Sequence, residues 1–156
     1  MTAETLKLLF GHNYYTMGVN SRDLTHEESL IGPKPGGNCA NWVLGHIVET
    51  RGVVLSLLGE KPVWVAAEGE RYKRGSAPVV GDAAGTKPFP EILEALDRSQ
   101  ESLLAGLSRL KDEDLGPADA KDSLGGKLAT LQFHEAYHAG QLGLLRRIAG
   151  KPGAIK

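Results

Sequence analysis

Residues 123–148 read SLGGKLATLQFHEAYHAGQLGLLRRI, and their spacing predicts one long amphipathic helix. The helix is expected to begin near Asp122 or Ser123 and to end before Gly150 and Pro152, which are typical residues after a helix C-terminus. Its inward face follows steps of three and four residues. The residues on that face are Leu131, His134, His138, Gln141, Leu145 and Ile148. Half of them are polar, which is unusual for side chains that enter a core.

Three other segments show apolar residues at helical spacing, and no segment alternates convincingly as a strand would, so the fold is predicted to be all-α. The predicted helices are residues 2–19 with Thr2 as N-cap, residues 38–58 with Asn38 as N-cap and Gly59 as the stop, and residues 88–110. Residues 60–87 form a long connection rich in Gly and Pro. Such a connection allows a four-helix bundle that departs from simple up-down-up-down order.

Length and composition limit the class of protein. The chain has 156 residues, which suits a single domain over residues 1–156. It has 18 basic and 19 acidic residues, a balance that argues against nucleic acid or an anionic membrane as a partner. Its single cysteine, Cys39, fits a reducing compartment. The apolar residues 42–58 are interrupted by His46, Glu49 and Arg51, so we expect no membrane span and a cytoplasmic protein.

Three histidines lie on predicted apolar faces. His134 and His138 are one turn apart on the same face of their helix, and His46 lies within the apolar stripe of the second helix. Two imidazoles at this spacing and a third from a facing helix match the three-ligand, open-site pattern of catalytic zinc. The alternative is a structural cluster of hydrogen-bonded histidines, because buried polar groups normally find partners.

The segment from His134 to His138 also matches H-E-x-x-H, the motif in which zinc peptidases place two ligands and a general-base Glu. The remaining context of such peptidases is missing. No histidine follows His138, Glu135 is the last acidic residue, and no strand is predicted for a peptide substrate to pair with. A metallopeptidase is therefore a minor alternative.

Two segments carry a family resemblance: NWVLGHI at residues 41–47 and HEAYHAGQ at residues 134–141. They resemble the signature segments of the DinB-like (DinB/YfiT) superfamily of metalloenzymes, and the resemblance extends over nearly the whole chain. It implies an up-down-down-up bundle, zinc or nickel bound by His46, His134 and His138, and frequent homodimers. Characterised relatives include thiol-dependent S-transferases and a mycothiol-dependent isomerase.

The predicted function is therefore metal-dependent activation of a small thiol or of water, with a small-molecule substrate. A divalent ion held by three neutral imidazoles keeps its full charge, which favours deprotonation of a thiol or water beside it. A low-molecular-weight thiol would then be a cosubstrate, as in an S-transferase, whereas activated water would make a hydrolase. The rival hypothesis is a non-catalytic, dimeric metal-binding or stress-associated protein.

Further residues are secondary candidates. Gln141 is predicted to orient a ligand, and Glu135 either to act beside the site or to face a partner or solvent. Cys39 is expected to be a packing residue rather than a reactive thiol. Aromatic and basic residues of the long connection either form a lid for an anionic substrate or simply pack on the bundle: Trp64, Arg71, Tyr72, Lys73 and Arg74. His12 and His26 lack a spaced partner and are assigned no role.

Overall fold

The computed structural model describes residues 1–117 and 119–155. These residues contain seven α-helices and no strand, so the predicted all-α class is confirmed. The helices are α1 (Ala3–Ser21), α2 (His26–Ser29), α3 (Ala40–Leu57), α4 (Ala66–Gly69), α5 (Phe89–Arg109), α6 (Asp112–Leu115) and α7 (Leu124–Ile148). A 3-10 turn, Glu70–Tyr72, directly follows α4. No helix among the described residues is long and apolar enough to cross a membrane.

The ends of the long helices follow the predicted signals, with one exception. Thr2 caps α1 by accepting a hydrogen bond from the Thr5 N–H, and Ser123 caps α7 in the same way. Gly59 ends α3 with a φ of 73°, a conformation that suits glycine. The predicted N-cap Asn38 is wrong: Cys39 is the N-cap, and its side chain makes no capping hydrogen bond. Cys39 is fully buried, so packing holds this helix start.

Three short helices were not predicted from the sequence, because one turn is too short to show a hydrophobic period. The third residue of each of these helices is acidic, and its side chain accepts a hydrogen bond from the backbone N–H three residues earlier. Glu28 accepts from Thr25 in α2 and Glu68 accepts from Val65 in α4. Asp114 does the same at the start of α6. Local capping therefore stabilises these turns within the loops.

α7 packs between α1 and α3, and two contacts mark how α1 lies along it. The Asn13 side chain donates to the Gln132 carbonyl at 3.1 Å. Near the other end, the side chain of Asn20 lies 3.5 Å from where a β-carbon on Gly143 would stand. Residues farther toward the C-terminus of α1 therefore contact residues farther toward the C-terminus of α7.

α5 packs against α3 and α1 on the other side of the molecule. At the start of α3, Asn41 donates to the Lys87 carbonyl, and at its end Leu58 packs directly on Gly106. Between α1 and α5 the order of contacts is reversed: residues farther along α1 contact residues earlier in α5. Tyr14 donates to Asp97 at 2.8 Å, whereas the Ala3 N–H near the start of α1 donates to Asp112, beyond the end of α5.

The hydrophobic core consists of two clusters separated by a buried polar layer. The first cluster includes Met17, Ile47, Leu96 and Leu142, and the second includes Phe10, Val54, Leu103 and Leu128. Between the two clusters each long helix contributes one buried polar residue: Asn13, Arg51, Ser99 and Glu135. In α3, Arg51 is buried although it interrupts the apolar residues 42–58, whereas the apolar Val53 is half exposed.

Candidate metal centre

The three predicted histidines come together where α3 crosses α7. The Nε2 atom of His134 lies 3.3 Å from Nε2 of His46 and 3.1 Å from Nε2 of His138. One nitrogen from each ring lies within 4.8 Å of the others, so the group could hold a metal ion. The helical spacing of His134 and His138 stacks their rings on one face, and the packing of α3 on α7 supplies His46.

Hydrogen bonds on the opposite ring nitrogens orient two of these histidines. His46 Nδ1 lies 2.7 Å from the carbonyl oxygen of Tyr72, and His138 Nδ1 lies 2.7 Å from the side-chain oxygen of Gln141. Both partners accept hydrogen bonds, so each Nδ1 carries the proton and donates it. The Nε2 atoms of His46 and His138 are then lone-pair donors aimed at the centre of the cluster, as metal-binding histidines require.

Hydrogen bonding among the three rings alone leaves this cluster unsatisfied. The lone pairs of His46 and His138 both face Nε2 of His134, which can carry only one proton. Nδ1 of His134 is buried and has no hydrogen-bond partner among the described residues in either tautomer, so this ring is held by no hydrogen bond on that side. A divalent cation would accept all three lone pairs, and tetrahedral zinc with metal–nitrogen distances of ~2.0–2.1 Å requires nitrogens about 3.3 Å apart. The residues therefore fit a metal ion.

The surroundings keep all three histidines neutral. Burial lowers the pKa of His46 and that of His138, although their hydrogen bonds to Tyr72 and Gln141 oppose this effect. The pKa of His134 is lowered to about 4, first by burial and then by the nearby positive charges of protonated His138 and His46 and of Arg74. Because only the neutral imidazole can bind a metal, these shifts favour the ligand form at neutral pH.

The residues around His46 form a close-packed wall. The Trp42 ring stacks on His46 with ring centres 4.8 Å apart and planes inclined by 17°. The ring of Tyr72 lies against the bare Cα of Gly45, where a β-carbon would clash with it. Tyr72 itself is fixed by its hydroxyl, which donates to the Asn41 side chain and accepts from the Lys87 N–H. Gly45 therefore permits the approach that brings the Tyr72 carbonyl to His46.

The histidines open into a cavity of about 560 Å³. Its wall is largely apolar, with Trp42, Val43, Leu144, Leu145 and Ile148, and it also includes Tyr137 and Gln141. Arg74 is the one charged side chain among the described residues that line it, and no carboxylate does so. The cavity thus gives a small molecule access to the nitrogens of the three histidines.

Glu135 lies away from this cavity although it belongs to the H-E-x-x-H motif. Its side chain is buried in the polar layer of the core, where both carboxylate oxygens are bound by Arg51. Glu135 is therefore not exposed to solvent, and it does not line the cavity. Cys39 does not line the cavity either, and burial raises the pKa of its thiol.

The long connection packs on the bundle through Trp64, Tyr72 and Val79, and its basic side chains mostly bind other parts of the connection. Tyr72 is fully buried, and the Arg71 side chain donates to the carbonyls of Ala77 and Pro78. Lys73 pairs with Glu70. Among the five residues considered as a lid, only Arg74 lines the cavity.

The two remaining histidines lie elsewhere. His12 is exposed on α1, and His26 accepts a hydrogen bond from the Phe89 N–H at the start of α5. His26 therefore helps to cap a helix rather than lying in a purely solvated turn. Neither residue lines the cavity.

The roles of Trp42, Gly45 and Tyr72 beside His46 were not predicted from the sequence. Gly45 carried a usable signal, because a glycine inside a helical pattern often marks close packing. Trp42 precedes His46 by one helical turn and so shares its face. The part played by Tyr72 had no signal, since it acts through its backbone carbonyl.

Comparison with protein families gives a match that covers this site. The family model described as the DinB superfamily matches residues 21–142, which is more than half of the chain and includes His46, His134, His138 and Gln141. No curated protein matches the chain.

Proposed function

The chain belongs to the DinB superfamily, and on that basis we propose that it binds one divalent metal ion through Nε2 of His46, His134 and His138. The observation that carries this proposal is the convergence of three Nε2 atoms whose lone pairs cannot all be satisfied by the rings themselves. Zinc and nickel are the proposed metals, since both accept imidazole ligands.

We further propose that the site is enzymatic and activates a small thiol for transfer to an electrophile. When bound, the metal would lower the pKa of a thiol or water molecule at its open position. Gln141 and the Tyr72 carbonyl hold the rings of His138 and His46 in the ligand orientation. The largely apolar wall of the cavity suits the hydrocarbon part of a thiol substrate, which supports thiol transfer.

Two alternatives make different demands on the same residues. A non-catalytic metal-binding protein needs a closed site with a fourth protein ligand, whereas the three histidines here line an open cavity. A metallopeptidase of the H-E-x-x-H type needs Glu135 as a free general base, whereas both of its oxygens are bound by Arg51. The thiol-dependent enzyme is therefore the function that this geometry supports best.

The first test is metal content, measured by mass spectrometry on protein purified without a His-tag. We expect about one equivalent in the parent and its loss in His46→Ala and His138→Ala variants that remain folded by circular dichroism. His12→Ala is the matched control, because His12 is exposed on α1 and should leave the metal content unchanged. A parent protein that also refuses added zinc and nickel would contradict the metal-site proposal.

The second test is turnover of a panel of electrophiles with cysteine, glutathione, mycothiol and bacillithiol. Activity should require both a thiol and the metal, and it should be lost in His46→Ala. Turnover that persists at the parent rate in metal-free protein would rule out this mechanism. Hydrolysis without any thiol would instead favour activation of water.

We also propose that the four long helices form a single domain with up-down-down-up topology. Contacts advance in the same direction along α1 and α7, and likewise along α3 and α5. Contacts between α1 and α5 advance in opposite directions. This order supports two parallel pairs of helices, α1 with α7 and α3 with α5, and the long connection between α3 and α5 allows the second pair to run parallel.

A homodimer is proposed as the working form, with α7 in the interface. Phe133, Tyr137 and Leu144 share one face of α7 and are 72%, 61% and 62% exposed. Tyr15 on the neighbouring helix α1 is 64% exposed. Large apolar side chains aligned on one face are typical of a self-complementary interface.

A further inference from the structure

Arg74 differs from three other basic residues of the long connection. Arg71, Lys73 and Lys87 each bind a carbonyl or a carboxylate of the protein. Among the described residues, no hydrogen bond or ion pair engages the guanidinium of Arg74. It is an exposed side chain in the turn that follows the buried Tyr72, and it lines the same cavity as the three histidines.

The charges around the cavity have one sign. Apart from Arg74, the described lining consists of the three histidines together with neutral residues. Imidazole is an uncharged ligand, so a divalent ion bound there would add two positive charges that no lining carboxylate offsets. A ligand with one negative group at the metal and another at Arg74 would neutralise this positive charge. A ligand with only one would leave the guanidinium paired with solvent alone.

We propose that Arg74 is a specificity-determining residue that binds a carboxylate of the substrate thiol. This inference rests on the proposed function, because the thiol sulfur is placed at the metal. The substrate class is a small thiol that carries a carboxylate, with an apolar part between the two ends. A guanidinium suits this role, since its fork of N–H donors matches the two oxygens of a carboxylate.

The inference is tested by binding, with two thiols of equal length. The probes are 3-mercaptopropionate, which carries a carboxylate, and 3-mercaptopropan-1-ol, which carries a hydroxyl at the same place. Binding to cobalt-loaded protein is followed by the thiolate-to-cobalt absorption band. We expect the parent to prefer the carboxylate probe by about tenfold, the size of one charge-assisted hydrogen-bonded contact at a solvent-exposed site.

Three variants decide which residue causes this preference. Arg74→Gln should bind both probes with the affinity that the parent has for the alcohol. Arg74→Lys keeps the charge without the fork and should keep part of the preference. Arg98→Gln is the matched control, because it removes the same charge from an exposed position outside the cavity lining and should behave as the parent.

The outcomes separate the two proposals. Cobalt-loaded protein that binds both probes equally, or an Arg74→Gln variant that keeps the full preference, would overturn the role of Arg74 and leave the metal site standing. Loss of the preference in Arg98→Gln as well would indicate a general charge effect and would also overturn it. Protein that binds no cobalt would contradict the proposed function, and it would also overturn the role of Arg74, which requires the thiol to be bound at the metal.

Discussion

Arg51 binds both carboxylate oxygens of Glu135 inside the core, with Nε 2.7 Å from Oε2 and Nη2 3.0 Å from Oε1. The two side chains are almost fully buried, and Arg51 also donates to the Ser99 hydroxyl. This pair joins α3 to α7, the two helices that carry the three histidines. The glutamate of the H-E-x-x-H motif is therefore used in a structural contact between helices.

Replacing Glu135 with Leu should destabilise the protein severely, because Arg51 would remain buried without its partner. We expect a loss of about 3–5 kcal/mol in the free energy of unfolding, measured by urea denaturation. The double variant Arg51→Met/Glu135→Leu is the control and should recover most of this loss, since it removes both buried charges. A Glu135→Leu protein that keeps its stability but loses turnover would instead indicate that Glu135 acts in catalysis.

Replacing Gln141 with Leu should weaken metal binding without unfolding the protein. The variant removes the oxygen that accepts from Nδ1 of His138, so this ring loses its fixed orientation. We expect affinity to fall by about 10–100-fold, measured by competition with a chromophoric chelator. Tyr137→Phe is the matched control, because it removes only a hydroxyl that contacts the other end of the amide. Equal affinities in the parent and Gln141→Leu would contradict this role.

Substituting Gly45 with Ala should destabilise the protein and weaken metal binding. The new methyl group would clash with the Tyr72 ring, and overpacking of this kind costs about 1–3 kcal/mol of stability. Displacement of Tyr72 should also lower metal affinity, since its carbonyl holds His46. The control is Gly11→Ala in α1, where a β-carbon meets no atom within 4 Å. That variant should gain up to about 1 kcal/mol in thermal or urea unfolding through helix propensity.

Acid should destabilise the metal-free protein through His134. The pKa of this residue is about 4 in the folded protein, against 6.5 for a free histidine, so the unfolded chain binds the proton first. The free energy of unfolding should therefore fall as the pH drops from about 6.5 toward about 4, and this loss should level off below pH 4.

The pH effect is measured by urea denaturation at several pH values, comparing the parent with His134→Gln. The free energy of unfolding of the variant should fall less over this range, because the variant lacks the titrating imidazole. The carboxylates titrate in both proteins, so the difference between the two curves reports His134 alone. His12→Gln should follow the parent, since His12 is exposed on α1. Parallel curves for the parent and His134→Gln would contradict the lowered pKa.

Replacing Phe133 with Ser should weaken the proposed homodimer. The substitution removes an apolar side chain from the exposed face of α7. We expect a shift from dimer to monomer at micromolar concentration, measured by size-exclusion chromatography with light scattering. Val80→Ser is the control, because Val80 is similarly exposed at 79% but lies in the connection before α5. A monomeric parent protein would contradict the dimer itself.

The local patterns of the chain were sufficient for the class of fold and for the candidate ligands. Hydrophobic spacing predicted the four long helices, because a helix that buries one face must repeat its apolar residues every three or four positions. Thr2, Ser123 and Gly59 were correctly predicted as helix ends, because capping is local chemistry. The spacing of His134 and His138 likewise places two rings on one face.

Only the tertiary structure decided which polar residues face each other. The sequence does not reveal that Arg51 takes Glu135 away from the site, because 84 residues separate them and helix packing brings them together. The sequence also does not reveal that the Tyr72 carbonyl binds His46, since any residue type has a carbonyl. Nor does it single out Arg74 for the cavity lining, because the neighbouring residues carry the same charge. Side-chain patterns report the face of a helix, whereas the partner across that face depends on how the helices pack.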